Sequence, residues 1–176
     1  MKKFLFVLIF SGFITSATEA QVKVRYQGDV QAGYSIGIGT FKHDRINLHF
    51  VNSARIGNYF SAGLGLGLDY YTAVVNANGE DPELVLPIYF NARGYLPASE
   101  KTELFLSADI GTSIGLTEGV SGSNGFLFTP SIGARFKTGS KNAITIGFGY
   151  VLQEWSAGGI FNVNTDAIQI KVGYSF

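Results

Sequence analysis

The chain of 176 residues contains no cysteine, so neither a disulfide framework nor a thiolate metal site is available to it. Only four prolines interrupt it. Thirteen basic residues face thirteen acidic ones, and no basic surplus marks a nucleic-acid partner. Charge is sparse at 15%, while aromatics reach 14%, and that combination excludes an intrinsically disordered chain. After residue 20 there is also no sustained apolar period of the helical kind. What remains is an all-β class.

The one uninterrupted apolar run lies at the start. Lys2 and Lys3 precede Phe4 to Phe10, then come Ser11-Gly12-Phe13-Ile14 and a small-residue stretch ending at Ala20. A basic head, a short apolar stretch and a small residue at the cut describe a secretory signal peptide. A membrane-spanning helix needs about 20 apolar residues, and this run is shorter. The expected division is residues 1–20 as signal peptide and 21–176 as one β domain.

Twenty-three glycines and strict alternation fill the rest. Strand one is expected from Val24 to Ile38, strand two from Arg45 to Ala54 and strand three from Tyr59 to Tyr71. Strand four should run from Leu84 to Tyr95, strand five from Thr102 to Gly115 and strand six from Phe126 to Phe136. Strand seven, Ala143 to Leu152, and a closing strand, Ala167 to Phe176, complete eight. Strand three shows the pattern best: Phe60, Ala62, Leu64, Leu66, Leu68 and Tyr70 alternate with Ser61, Gly63, Gly65, Gly67 and Asp69. A period of two means one apolar and one polar face. Asn52 alone breaks the apolar phase of strand two.

Every charged residue within the strand cores falls on the polar phase: Arg25, Asp29, Arg45, Asp69, Arg93, Glu103, Asp109, Arg135 and Lys171. A midplane Lys or Arg on a lipid face costs roughly 2–4 kcal/mol, which accounts for that segregation. The apolar phase should therefore face lipid and the charged phase a narrow lumen. Lumen glycines make room for long neighbours there. Tyr26, Phe60, Phe136, Tyr174 and Phe176 at one level, with Tyr34, Tyr70, Phe126 and Tyr150 at the other, are expected as interfacial girdles. A secreted lipocalin-type barrel, apolar face inward around a ligand, shares the same period and is the rival architecture.

The last strand, Ala167 to Phe176, sets Ile168, Ile170, Val172, Tyr174 and Phe176 against Gln169, Lys171, Gly173 and Ser175. Termination on Phe176 with Tyr174 before it resembles the closing strand of Gram-negative outer-membrane barrels. From about Val22 to Phe176 the chain is similar to the small eight-stranded barrels of the OmpA/OmpX type. That resemblance implies an eight-stranded antiparallel up-and-down transmembrane barrel in the outer membrane, both ends of the chain in the periplasm. It also implies Tyr174 and Phe176 as a signal for the barrel-assembly machinery, and outer-membrane lipid and lipopolysaccharide as surroundings. Such barrels include structural anchors, adhesins and a few lipid-modifying enzymes, so the fold does not select a role.

Chemical motifs are weak. Gly111-Thr112-Ser113-Ile114-Gly115 matches the nucleophile-elbow spacing without the helix that must follow it. Gly63, Gly65 and Gly67 lack the strand–helix context of a phosphate loop. His43, Asp44 and Asp69 near one rim are the best set for a lipid A deacylase-like enzyme, but no serine stands at a matching spacing. No catalytic site, cofactor or metal is expected. Turn centres place Arg45 beside Asp69 and Arg93 beside Glu103 as lumen charge pairs. Trp155, Ile160 and Phe161, in the longest connection, are the candidate contacts to a surface ligand or lipoprotein. The expected role is structural or surface-binding, in a barrel whose lumen is closed.

Overall fold

The computed structural model describes residues 23–38, 42–76, 79–117, 124–157 and 161–176, the side chains of 73–81, 124 and 156–163 excepted. The expected signal peptide and Ile160 lie outside the described residues. The strands are β1 (Val24–Ile38), β2 (Arg45–Ile56), β3 (Phe60–Asn76), β4 (Gly79–Pro97) and β5 (Thr102–Gly115). They continue with β6 (Asn124–Lys137), β7 (Ala143–Ala157), β8 (Phe161–Asn164) and β9 (Asp166–Ser175). Each pairs antiparallel with its neighbour, and β9 closes the sheet between β1 and β7. β8 is a short extension on the far end of β7, separated from β9 by Thr165 alone, so the barrel has eight staves.

The eight staves pair in a closed ring, which is what permits strands to sit in lipid. The apolar phase lies outside on all eight staves. Ile36, Leu48, Leu64, Phe90, Leu106, Ile132, Phe148 and Val172, one from each, are 48–68% exposed. Both expected aromatic girdles are exposed on the same surface. The lipocalin arrangement is thereby corrected, because it requires this face inside. Asn52 also points outward, and the Tyr26 hydroxyl donates to its Oδ1 at 2.7 Å. An aromatic girdle residue thus satisfies the polar group that interrupts the belt.

Several strands run further than expected. β2 runs to Ile56 rather than Ala54, and β3 and β4 continue through residues that read as a polar loop. The same holds for β7 and β8 beyond Leu152. Outside an apolar belt a hairpin has no reason to alternate, so periodicity stops while hydrogen bonding goes on. A register shift between Tyr71 and Val74 bends the β3–β4 hairpin where it leaves the belt. Two ends of the barrel result: a terminal end, where β1 starts and β9 finishes, and a distal end carrying the extended hairpins.

Candidate functional site

The polar phase packs a lumen in which nearly every side chain is buried. Glycines set its section. A Cβ on Gly65 would fall on the Tyr89 ring, one on Gly67 on the His49 ring, and one on Gly133 on Phe105. Flat side chains lie over bare backbone, which is how a barrel this narrow holds rings at all.

Near the distal end, Arg45 donates to the Tyr71 hydroxyl and to Gln153 Oε1, the latter at 2.7 Å. Its guanidinium sits 5.0 Å from the centre of the Tyr71 ring. Trp155 packs edge-on against Tyr71 with ring centres 5.8 Å apart, and its indole N–H donates to Thr165 Oγ1 at 2.9 Å. Trp155 shares the inward phase of Val151 and Gln153 and is half-buried at the distal end of the lumen, against Tyr71 rather than on the outer wall. The Phe161 side chain lies outside the described residues.

One layer down, Asp69 Oδ1 takes His49 Nε2 at 2.9 Å and Asn47 Nδ2 at 2.7 Å. His49 Nδ1 meets the Tyr89 hydroxyl at 2.9 Å and Lys171 Nζ at 3.2 Å. Lys171 Nζ in turn lies 3.7 Å from Asp109, whose other oxygen accepts from Asn91. Asp69, His49 and Tyr89 are connected like an acid–base relay, but none is more than 5% exposed. The cavity adjoining Lys171 and Asp109 is about 20 Å³, room for one water and no substrate.

Toward the terminal end, Arg93 Nη1 lies 3.6 Å from Asp29 and its guanidinium covers the Phe105 ring at 4.8 Å. Gln27 donates to Asp29 and to the Tyr95 hydroxyl. At the mouth, Glu103 receives Arg55, Arg135 and Lys137, each at 3.0 Å.

All four residues of the expected charge pairs do point into the lumen, but with other partners. Arg45 stands opposite Tyr71, and Asp69 opposite Asn47. Arg93 stands opposite Ser107, and Glu103 opposite Arg135. The pairs Arg45–Asp69 and Arg93–Glu103 are therefore replaced by Arg45–Gln153, His49–Asp69, Arg93–Asp29 and Arg55–Glu103–Arg135. Arg55 lies one residue beyond the expected end of strand two and Glu83 one residue before the expected start of strand four, yet both continue the inward parity of their strands. Parity alone would have found them.

The three rim residues are not gathered. Asp69 is engaged by His49 inside the lumen. Asp44, in the β1–β2 connection, accepts from the Tyr34 hydroxyl at 2.7 Å and the Gly37 N–H at 2.9 Å. Those two donors hold its carboxyl below the ordinary carboxylate value. His43 is half-buried beside it. Ser113 is fully buried within β5, with no strand-to-helix turn to present its hydroxyl.

No protein-family profile matches the chain, and no curated protein matches it in sequence. Solved structures do. Neisserial surface protein A superposes with a TM-score of 0.68 at 10% identity, over 87% of this chain and 97% of that one. The fold is that of the eight-stranded outer-membrane barrels. The outer membrane enzyme PagL matches with a TM-score of 0.53 at 15% identity, covering 84% and 98% of the two chains. A de novo designed transmembrane β-barrel matches at 0.50 and 9% identity, covering 85% and 93%. A surface protein, an enzyme and a design share this shape, so shape does not choose among roles.

Proposed function

We propose that the chain is an integral outer-membrane barrel with a structural or surface-binding role, neither a pore nor an enzyme. The observation that carries this reading is the pairing of a lipid-compatible outer wall with a lumen filled by bonded side chains. In this reading residues 1–20 are a cleaved signal peptide, the terminal end lies in the periplasm and the distal hairpins face outward. Outer-membrane lipid and lipopolysaccharide surround the wall. Tyr174 and Phe176 meet the barrel-assembly machinery, and a surface ligand or lipoprotein meets the distal hairpins.

A plug made of bonded side chains blocks ions as well as solutes. The protein should fractionate with the outer membrane and migrate differently on SDS gels before and after boiling. In planar bilayers it should carry no steady current. Soluble periplasmic protein with heat-independent migration, or a stable conducting level, would overturn the reading.

A further inference from the structure

The terminal mouth of the barrel is cut away on one side. β1 pairs with β2 from Val24 onward but with β9 only from Asp29. One more pair of backbone hydrogen bonds joins Gly28 to Phe176. Residues 24–27 therefore run past the end of β9, leaving a notch between β1 and the β6–β7 turn, residues 138–142. The notch encloses a cavity of about 630 Å³.

Its lining is strongly one-signed. Arg25, Arg55, Arg135, Lys137 and Lys141 surround it against Glu103, five positive side chains to one negative side chain. Glu103 already serves Arg55, Arg135 and Lys137. Arg25 reaches only neutral acceptors, Gly57 O and Asn58 Oδ1, both at 3.3 Å. Among the described residues, neither Arg25 nor Lys141 makes an ion pair. Unmatched cations around one concavity favour an anion with several acceptor oxygens, as a phosphate has.

The rim says where that phosphate comes from. Tyr26 and Phe176, ring centres 6.5 Å apart, edge the cavity and are also exposed on the outer wall, at girdle level. The notch thus opens sideways, toward the headgroup layer, rather than only along the barrel axis. A free phosphate would answer the cations but make no use of two rings that stand on the outer wall. A phosphate carrying acyl chains answers both.

We infer that this notch seats the headgroup of an anionic phospholipid from the leaflet at the terminal end. Arg25 and Lys141 hold its phosphate, and Tyr26 and Phe176 lie against its glycerol and upper chains. The inference rests on the membrane-barrel reading above.

The test uses the refolded barrel in micelles doped equally with phosphatidylglycerol and phosphatidylcholine, the retained lipids counted by native mass spectrometry. Wild type should keep one phosphatidylglycerol in preference to phosphatidylcholine. The double variant R25Q/K141Q breaks no ion pair of the fold and should lose that preference by on the order of tenfold. Lys101→Gln, at a different turn, should keep it. Inorganic phosphate at equal concentration should not displace the lipid. Equal retention of both lipids, or an unchanged double variant, overturns the inference. Displacement by inorganic phosphate assigns the notch to a free anion and overturns the lipid. Heat-dependent gel migration of the same samples separates the two readings. If it is absent, the membrane barrel fails and this inference with it; if it is normal while retention is unselective, this inference fails alone.

Discussion

Arg55 and Glu103, 48 residues apart in sequence, meet at 3.0 Å across the lumen from staves that are not neighbours. A sheet contact holds adjacent strands; this one ties opposite walls. Glu103 also receives Arg135 and Lys137, so three cations share one carboxylate at the mouth. Glu103→Gln leaves them facing one another. Removing one partner of a buried pair costs on the order of 3–5 kcal/mol. The urea midpoint in detergent should fall accordingly, whereas Glu100→Gln at an exposed turn should shift it by less than about 0.5 kcal/mol. Equal midpoints would show that the mouth is solvated and the bridge idle.

Gly67 and His49 face each other across β2 and β3. Because a Cβ on Gly67 would enter the imidazole, Gly67→Ala must push His49 off both Asp69 and Tyr89. Overpacking of this kind typically costs about 1–3 kcal/mol. In a His49→Ala background the same alanine has space, and its added cost should drop below about 0.5 kcal/mol. Residues in contact are non-additive in this way. Simple additivity of the two substitutions would mean the ring is not seated over that glycine.

These two contacts show what sequence reading reaches and where it stops. Inward and outward phases follow from alternation, because a buried charge on the lipid face is too costly to be tolerated. Register does not follow from alternation, since sliding a hairpin by two residues keeps every side chain on its face. Placing the β2–β3 turn one residue too early moved the partner of Arg45 from Tyr71 to Asp69. An error of two residues at the β4–β5 turn moved the partner of Arg93 from Ser107 to Glu103. Contacts across the lumen, such as Arg55–Glu103 or Arg93–Asp29, are further out of reach. They depend on barrel stagger, which no local pattern encodes.

Asp44 offers a pH-dependent contrast outside the barrel wall. Its carboxyl is held below the ordinary value of 3.8 by donors from Tyr34 and Gly37. A carboxylate with a lowered folded value contributes its stability above the unfolded value and loses it as pH falls through the folded one. Wild type should therefore lose more stability than Asp44→Asn between about pH 5 and pH 3. Urea midpoints of both proteins across that range check the sign. Parallel losses would show that the two donors do not discriminate the charged form.

Phe176 closes the sheet and is proposed above to meet the barrel-assembly machinery, and one pair of variants can part the two. Its backbone exchanges N–H and C=O bonds with Gly28, and its ring lies over Gly28, where a Cβ would collide, and beside Tyr26. Phe176→Ala keeps the backbone pair and removes the ring; deletion of Phe176 removes both. If closure of the stave is all that matters, refolding in detergent should suffer from deletion and far less from the alanine. If the aromatic ring belongs to a signal that assembly factors read, Phe176→Ala should refold in vitro yet fail to accumulate as heat-modifiable barrel in cells. The resemblance of the closing strand favours that second outcome. Normal accumulation of Phe176→Ala in the outer membrane would remove the ring from the signal and leave Phe176 as a closing contact only.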